Sequence, residues 1–369
     1  MRRKIILALL SFVGLATGWV LFGRNLFKGE KVNNKNLVKE KFPIGFQWRT
    51  SDPFLFCAYH MDYYPEANTE MGPNESLAGR NIGSDFEPLN GYRMYHGEKV
   101  PGFPVHPHRG FETITLVREG YVDHADSLGA AGRYGSGDVQ WMTAGAGIQH
   151  SEMFPLLDQK GKNTLELMQI WINLPKKSKL TPAGYKMFWS EEIPRVIKNN
   201  GKIVVDVIAG EFEGQKPVSP PEASWAADPK NHVALWMIEM EPEQSLSIPS
   251  TNSGVNRVVY FYEGDRIDLS GNSIEGHQGV IVNPEEEFVL KSGTTKSKIL
   301  ILQGQPINEP VFQHGPFVMN TRDEIVEAIQ EYQRTQFGGW PWDRDDMVHG
   351  DKKERFGRQA DGSEERPKS

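Results

Sequence analysis

The sequence predicts an all-β protein built as two similar β-barrels in tandem, with one short helix near the C-terminus. Three observations carry this. From about residue 110 the apolar residues come in short blocks rich in β-branched and aromatic types: FETITLV, GDVQWM, LELMQIWIN, KIVVDVIAG, ALWMIEM, RVVYFYEG, GVIVNP and KILILQG. Gly, Asn or Pro separates them at sandwich or barrel intervals, in a chain with 37 glycines and 24 prolines. There is also a faint internal repeat: FETITLVREG echoes NRVVYFYEG, and GDVQWM echoes GVIVNP. Finally, 369 residues fit two domains at roughly 100 to 200 residues each.

Taken in order, residues 1–23 begin MRRK and continue with 18 uncharged positions, 5–22. That is long enough for a transmembrane helix, and the basic residues ahead of it place the remainder of the chain on the non-cytoplasmic side. A membrane anchor or a cleaved signal peptide is therefore expected, with the protein membrane-anchored or exported. Residues 24–44 are polar and Lys-rich and read as a spacer. The helix is expected over 322–336, where Ile325, Ala328, Ile329 and Tyr332 share a face and Asn320 or Thr321 caps the start. Residues 213–230 hold four prolines and read as a loop. Residues 339–369 read as a charged, disordered tail: from 343 onwards eight acidic and seven basic residues leave little apolar surface to offset ordering entropy.

Composition narrows the chemistry. Lys plus Arg is 41 against 48 Asp plus Glu, a net charge of -7, which argues against a nucleic-acid partner. Cys57 is the single cysteine, so there is no intrachain disulfide, and a metal site must use nitrogen and oxygen ligands. Such a set stands in GFPVHPHRGFETITLVREG (102–120) and GSGDVQWMTAGAGIQHSEM (135–153). On a strand, residues i and i+2 share a face, so His106 with His108, and His150 with Glu152, each present two ligands to one side. Three imidazoles and a carboxylate suit Fe(II), and would also accept Mn, Ni, Cu or Zn. A six-coordinate metal would keep two open positions. Glu112, four residues after His108, is allowed by alternation to face inward too, as a ligand or as a partner orienting a histidine. His60, His124, His232, His277, His314 and His349 lack a comparable partner and are read as structural.

The motifs HPHRGFET, HADSLG (124–129) and GDVQWMTAGAGIQHSE, with GPFVMNT (315–321) before the helix, resemble the pirin family of the cupin superfamily over roughly 45–338. The resemblance implies two tandem cupin-type barrels (double-stranded β-helix, or jelly roll). These are an N-terminal metal-binding domain over 45–195 and a C-terminal domain over 196–338 that lacks the ligands. It implies one iron held by His106, His108, His150 and Glu152, with Glu112 excluded. The repeat itself puts Ser250 and Asn252 opposite His106 and His108, and Phe312 and Phe317 are expected to bury the domain interface.

The resemblance further implies a quercetinase-type flavonol dioxygenase. A small aromatic or enol substrate would bind the metal bidentately and react with dioxygen. Glu152 would be the catalytic base through an oxygen left free, and Phe54, Phe103, Phe111, Trp141 and Met142 are candidate lining. The alternative it implies is a non-catalytic, redox-sensing regulator acting by protein–protein binding, which the expected export ranks lower. A monomer is expected.

Overall fold

The computed structural model describes residues 37–368. Strands dominate, and the chain forms two jelly rolls, each made of two facing sheets that do not close into a continuous hydrogen-bonded barrel. In the first, one six-stranded sheet runs Gly184–Phe188, Val139–Thr143, Phe111–Glu119, Asn163–Asn173, Phe54–Tyr64 and Gln47–Trp48. The facing six-stranded sheet runs Glu364–Glu365, Phe356–Arg358, Ala131–Gly135, Tyr121–Asp126, Ile148–Met153 and Gly102–His108. The second jelly roll pairs a seven-stranded with a four-stranded sheet. Its interior is filled by apolar side chains such as Ile238, Val259, Phe261, Ile267, Leu290 and Ile301.

The two units meet sheet on sheet. Strand alternation sends Ile114, Leu116, Val139, Trp141, Met168 and Ile170 outward from the first unit, against Leu235, Met237, Val258, Tyr260, Leu300 and Leu302 of the second. Cys57 is fully buried in this layer. Ion pairs close its edge: Arg118 reaches Asp206 at 2.6 Å and also Glu239, and Lys298 reaches Glu166 at 2.9 Å. The expected interface pair does not contribute to this layer. Phe312 is 46% exposed, and Phe317 packs with Met319, Ile325, Ala328 and Tyr332 under the helix.

The helix spans Arg322–Thr335, capped by Thr321 in a reciprocal box with Glu324. Although it comes after the second jelly roll in sequence, it docks on the first. The Tyr332 hydroxyl donates to Gln149 Oε1 at 2.9 Å, and Arg109 pairs with Glu331 at 2.7 Å.

Three expectations about the chain ends change. The segment read as a membrane anchor or signal peptide lies outside the described residues. Among the described residues no helix is long and apolar enough to cross a membrane, so the transmembrane and signal-peptide reading and the membrane-anchored or exported placement are withdrawn. The spacer gives way at its end to a strand, Val38–Pro43, which pairs with Gln278–Val282 of the second jelly roll and buries Val38 and Phe42. The tail is not a disordered extension: residues 339–368 run across the outside of the first unit, and Phe356–Arg358 adds a strand beside Ala131–Gly135. Composition misled here because this segment is held mainly by polar anchors. Arg133 donates to the carbonyls of Gly350, at 2.7 Å, and Lys352, and Arg355 pairs with Asp138 at 2.7 Å.

Candidate metal centre

The site forms on the inner face of the sheet that carries Gly102–His108 and Ile148–Met153. These strands are antiparallel with His106 opposite His150, so the i,i+2 rule puts His106, His108 and His150 on one side. One ring nitrogen from each falls within 4.8 Å of the others, and among the described residues this is the single such group. His108 and His150 are buried and His106 is partly exposed. The rings lie 4.4 to 4.9 Å apart between centroids.

Electrostatics keep these imidazoles neutral. Burial, opposed by a bond to the Pro104 carbonyl, lowers the His106 pKa to about 4. Burial and the neighbouring imidazoles hold His108 and His150 well below the usual range. Neutral imidazole is the form that binds a metal. Both ring nitrogens of His150 are buried without a hydrogen-bond partner, an arrangement that costs free energy unless something else occupies them. The donor set therefore fits a divalent metal ion.

Glu152 is close, but it stands outside the group of three. Its Oε2 is 3.8 Å from His150 Nε2. Burial raises its pKa. Both sheets hold the carboxylate: from the facing sheet Thr115 donates to Oε1 at 3.0 Å and Gln169 to Oε2 at 3.1 Å, and from its own sheet Tyr134 donates to Oε1 at 3.4 Å. Each oxygen therefore already accepts a hydrogen bond, where the expectation for a base had one oxygen unengaged.

Glu112 lies elsewhere. Gly110, at a φ of +85°, turns the chain from one sheet to the other between His108 and Phe111. A Cβ on Gly110 would lie 2.0 Å from the Val318 carbonyl, so glycine is required on both counts. Parity does not carry across that turn. Glu112 shares its face with Ile114 and Leu116 towards the second unit, and it accepts from Thr143 at 2.6 Å.

Of the expected lining, Phe103 lies 6.3 Å from His106 and Phe111 lies 5.1 Å from His108. Phe54 and Trp141 belong to the layer between units, and Met142 to the first unit's core. Trp171, 5.4 Å from His108, was not foreseen. Nor was His124. It sits opposite Glu152, and Asp126 sits opposite His150, so His-Ala-Asp repeats the i,i+2 spacing of the other two motifs. That spacing was the signal available in the sequence. In the second unit Asn252 bonds His232 at 2.7 Å on the surface.

Paired jelly rolls with inward imidazoles on the first define a two-domain cupin protein. Residues 38–172 match the Pirin family model and 235–338 the Pirin C-terminal cupin domain. The chain is 33% identical over 309 residues to a Pseudomonas aeruginosa protein provisionally named a quercetin 2,3-dioxygenase, covering 82% of this chain and 95% of that one. It is 34% identical over 265 residues to mouse pirin, covering 70% and 86%. A solved structure of quercetin 2,3-dioxygenase from Acinetobacter baumannii superposes with a TM-score of 0.65 at 29% identity, over 83% of this chain and 99% of that one. The chain belongs to the pirin family.

Proposed function

We propose that this pirin is a mononuclear metal dioxygenase of the quercetinase type, acting on a small flavonol-like enol, with His106, His108, His150 and Glu152 as the metal ligands and Fe(II) as the metal. The observation that carries the reading is the convergence of three neutral, buried or half-buried imidazoles beside one carboxylate. The names borne by the Pseudomonas and Acinetobacter relatives favour dioxygenase chemistry.

Such a metal supplies Lewis acidity towards an enol oxygen and an electron route to dioxygen. The chain's own residues do the rest. Thr115, Gln169 and Tyr134 fix the Glu152 carboxylate, so its orientation is set before a substrate arrives. Oε2, which faces His150, completes the ligand set. The enol proton passes to the same carboxylate at Oε1, where the Thr115 or the Tyr134 hydroxyl rotates to accept it while the other goes on donating. Phe103, Phe111 and Trp171 set aromatic surface against His106 and His108, which suits a planar substrate.

Anaerobic Fe(II)-loaded protein mixed with quercetin tests this. Binding should shift the flavonol absorbance, and admitting air should yield the ring-opened ester with loss of carbon monoxide. Absence of both the shift and the product would defeat the proposal.

A further inference from the structure

Three neighbouring strands each send an i,i+2 pair to the same inner face: His106 and His108, His150 and Glu152, and His124 and Asp126. The third pair is fully buried. His124 Nε2 lies 3.1 Å from Asp126 Oδ2. A carboxylate only accepts, so Nε2 carries a proton, and in the neutral imidazole Nδ1 presents a lone pair. That Nδ1 is buried and has no hydrogen-bond partner. The ring packs 5.6 Å from His150 and 5.1 Å from Tyr185, and in register it faces Glu152.

Asp126 is itself fixed, with Oδ1 accepting from the backbone of Leu128 and Ala130 at 2.9 and 3.0 Å. The C-terminal segment grips the main chain of both residues. His349 Nε2 donates to the His124 carbonyl at 2.7 Å, and Trp342 Nε1 donates to the Asp126 carbonyl at 2.8 Å. This segment lies beyond residue 338, where the match to the family's C-terminal model ends.

We infer that His124 is a positioning residue of the centre: its Nδ1 lone pair accepts from, and so orients, a hydroxyl group lying beside Glu152, whether of water or of a bound enol, and the C-terminal segment holds it in that pose. The inference rests on the reading that the three imidazoles bind a metal. A packing role alone would need neither the Asp126 carboxylate fixing one nitrogen nor a second nitrogen left buried without a partner beside His150.

Cobalt(II) is the probe, read by visible spectrum and by affinity against a competing chelator. His124→Phe keeps the ring and its contacts but loses Nδ1. It should bind cobalt at least about tenfold more weakly, in line with losses seen when groups that orient ligands are removed, and with displaced ligand-field bands. His124→Asn, whose amide oxygen falls near Nδ1, should recover part of both. The double variant Trp342→Phe with His349→Phe removes only the two outer donors, so it keeps the test alive if His124→Phe does not fold. It should shift the bands in the same direction. Bands and affinity matching the parent protein in every variant that folds would overturn the inference while leaving the metal reading intact. Failure of the parent protein to bind cobalt more tightly than His106→Ala would overturn both.

Discussion

Arg133 Nε and Nη2 each donate to the Asp123 carboxylate at 2.6 Å, from side chains no more than 1% exposed. The pair lies directly across two adjacent strands of the sheet that carries the histidines. The C-terminal segment covers it: His349 N donates to Asp123 Oδ2 at 2.8 Å, and Arg133 donates to two carbonyls of that segment. Removing one partner leaves an uncompensated buried charge. Asp123→Ala should destabilise the protein by about 3 to 5 kcal/mol, measured by urea unfolding, and should expose residues 339–368 to protease while the rest of the chain stays resistant.

Gly110→Ala forces a side chain into a left-handed turn and against the Val318 carbonyl. A loss of at least about 2 kcal/mol is expected. Because the turn comes directly after His108, metal affinity should fall with it. Thermal unfolding with and without metal separates the two effects.

Glu112 gives a sign-specific test. Burial raises its carboxyl pKa from 4.5 to about 7, so the folded state binds a proton that the unfolded state has lost between those values, and stability falls as pH rises through that window. Glu112→Gln keeps the acceptor for Thr143 and removes the charge. It should raise stability at pH 8 by on the order of 1 to 3 kcal/mol, change little at pH 4, and leave metal binding intact. Loss of metal binding in this variant would mean that Glu112 does face the site.

Acid should act in the opposite sense through the buried histidines. His106 is lowered from 6.5 to about 4 and His60 to about 3. The unfolded chain takes up protons below about pH 6.5 that the metal-free folded protein refuses. Metal-free protein should therefore lose stability progressively from pH 6.5 down to about 4. Metal should bind until the same range is reached, because His106 stays neutral until then. Unfolding midpoints measured across pH, with and without chelator, check both statements.

Much of this molecule was legible in its sequence. The apolar blocks became strands, Thr321 capped the helix, and the spacing of His106, His108 and His150 put three imidazoles at one point. What failed did so for physical reasons. Alternation holds within a strand but not across Gly110, so it could not orient Glu112. A short strand such as Val38–Pro43, half of it charged, does not announce a partner some 240 residues away. The C-terminal segment is ordered by hydrogen bonds to buried Arg133 and to strand carbonyls, which a tally of apolar residues does not see. His124 was passed over because its partner is Asp126 rather than a second histidine, although the spacing was the same.

The most direct test of the central claim is anaerobic titration of the metal-free protein with Fe(II), beside His150→Ala. One equivalent per chain should bind, and the variant should bind it more than about a hundredfold more weakly, since a buried ligand has been lost. Binding of the same single equivalent with unchanged affinity in the variant would contradict the account.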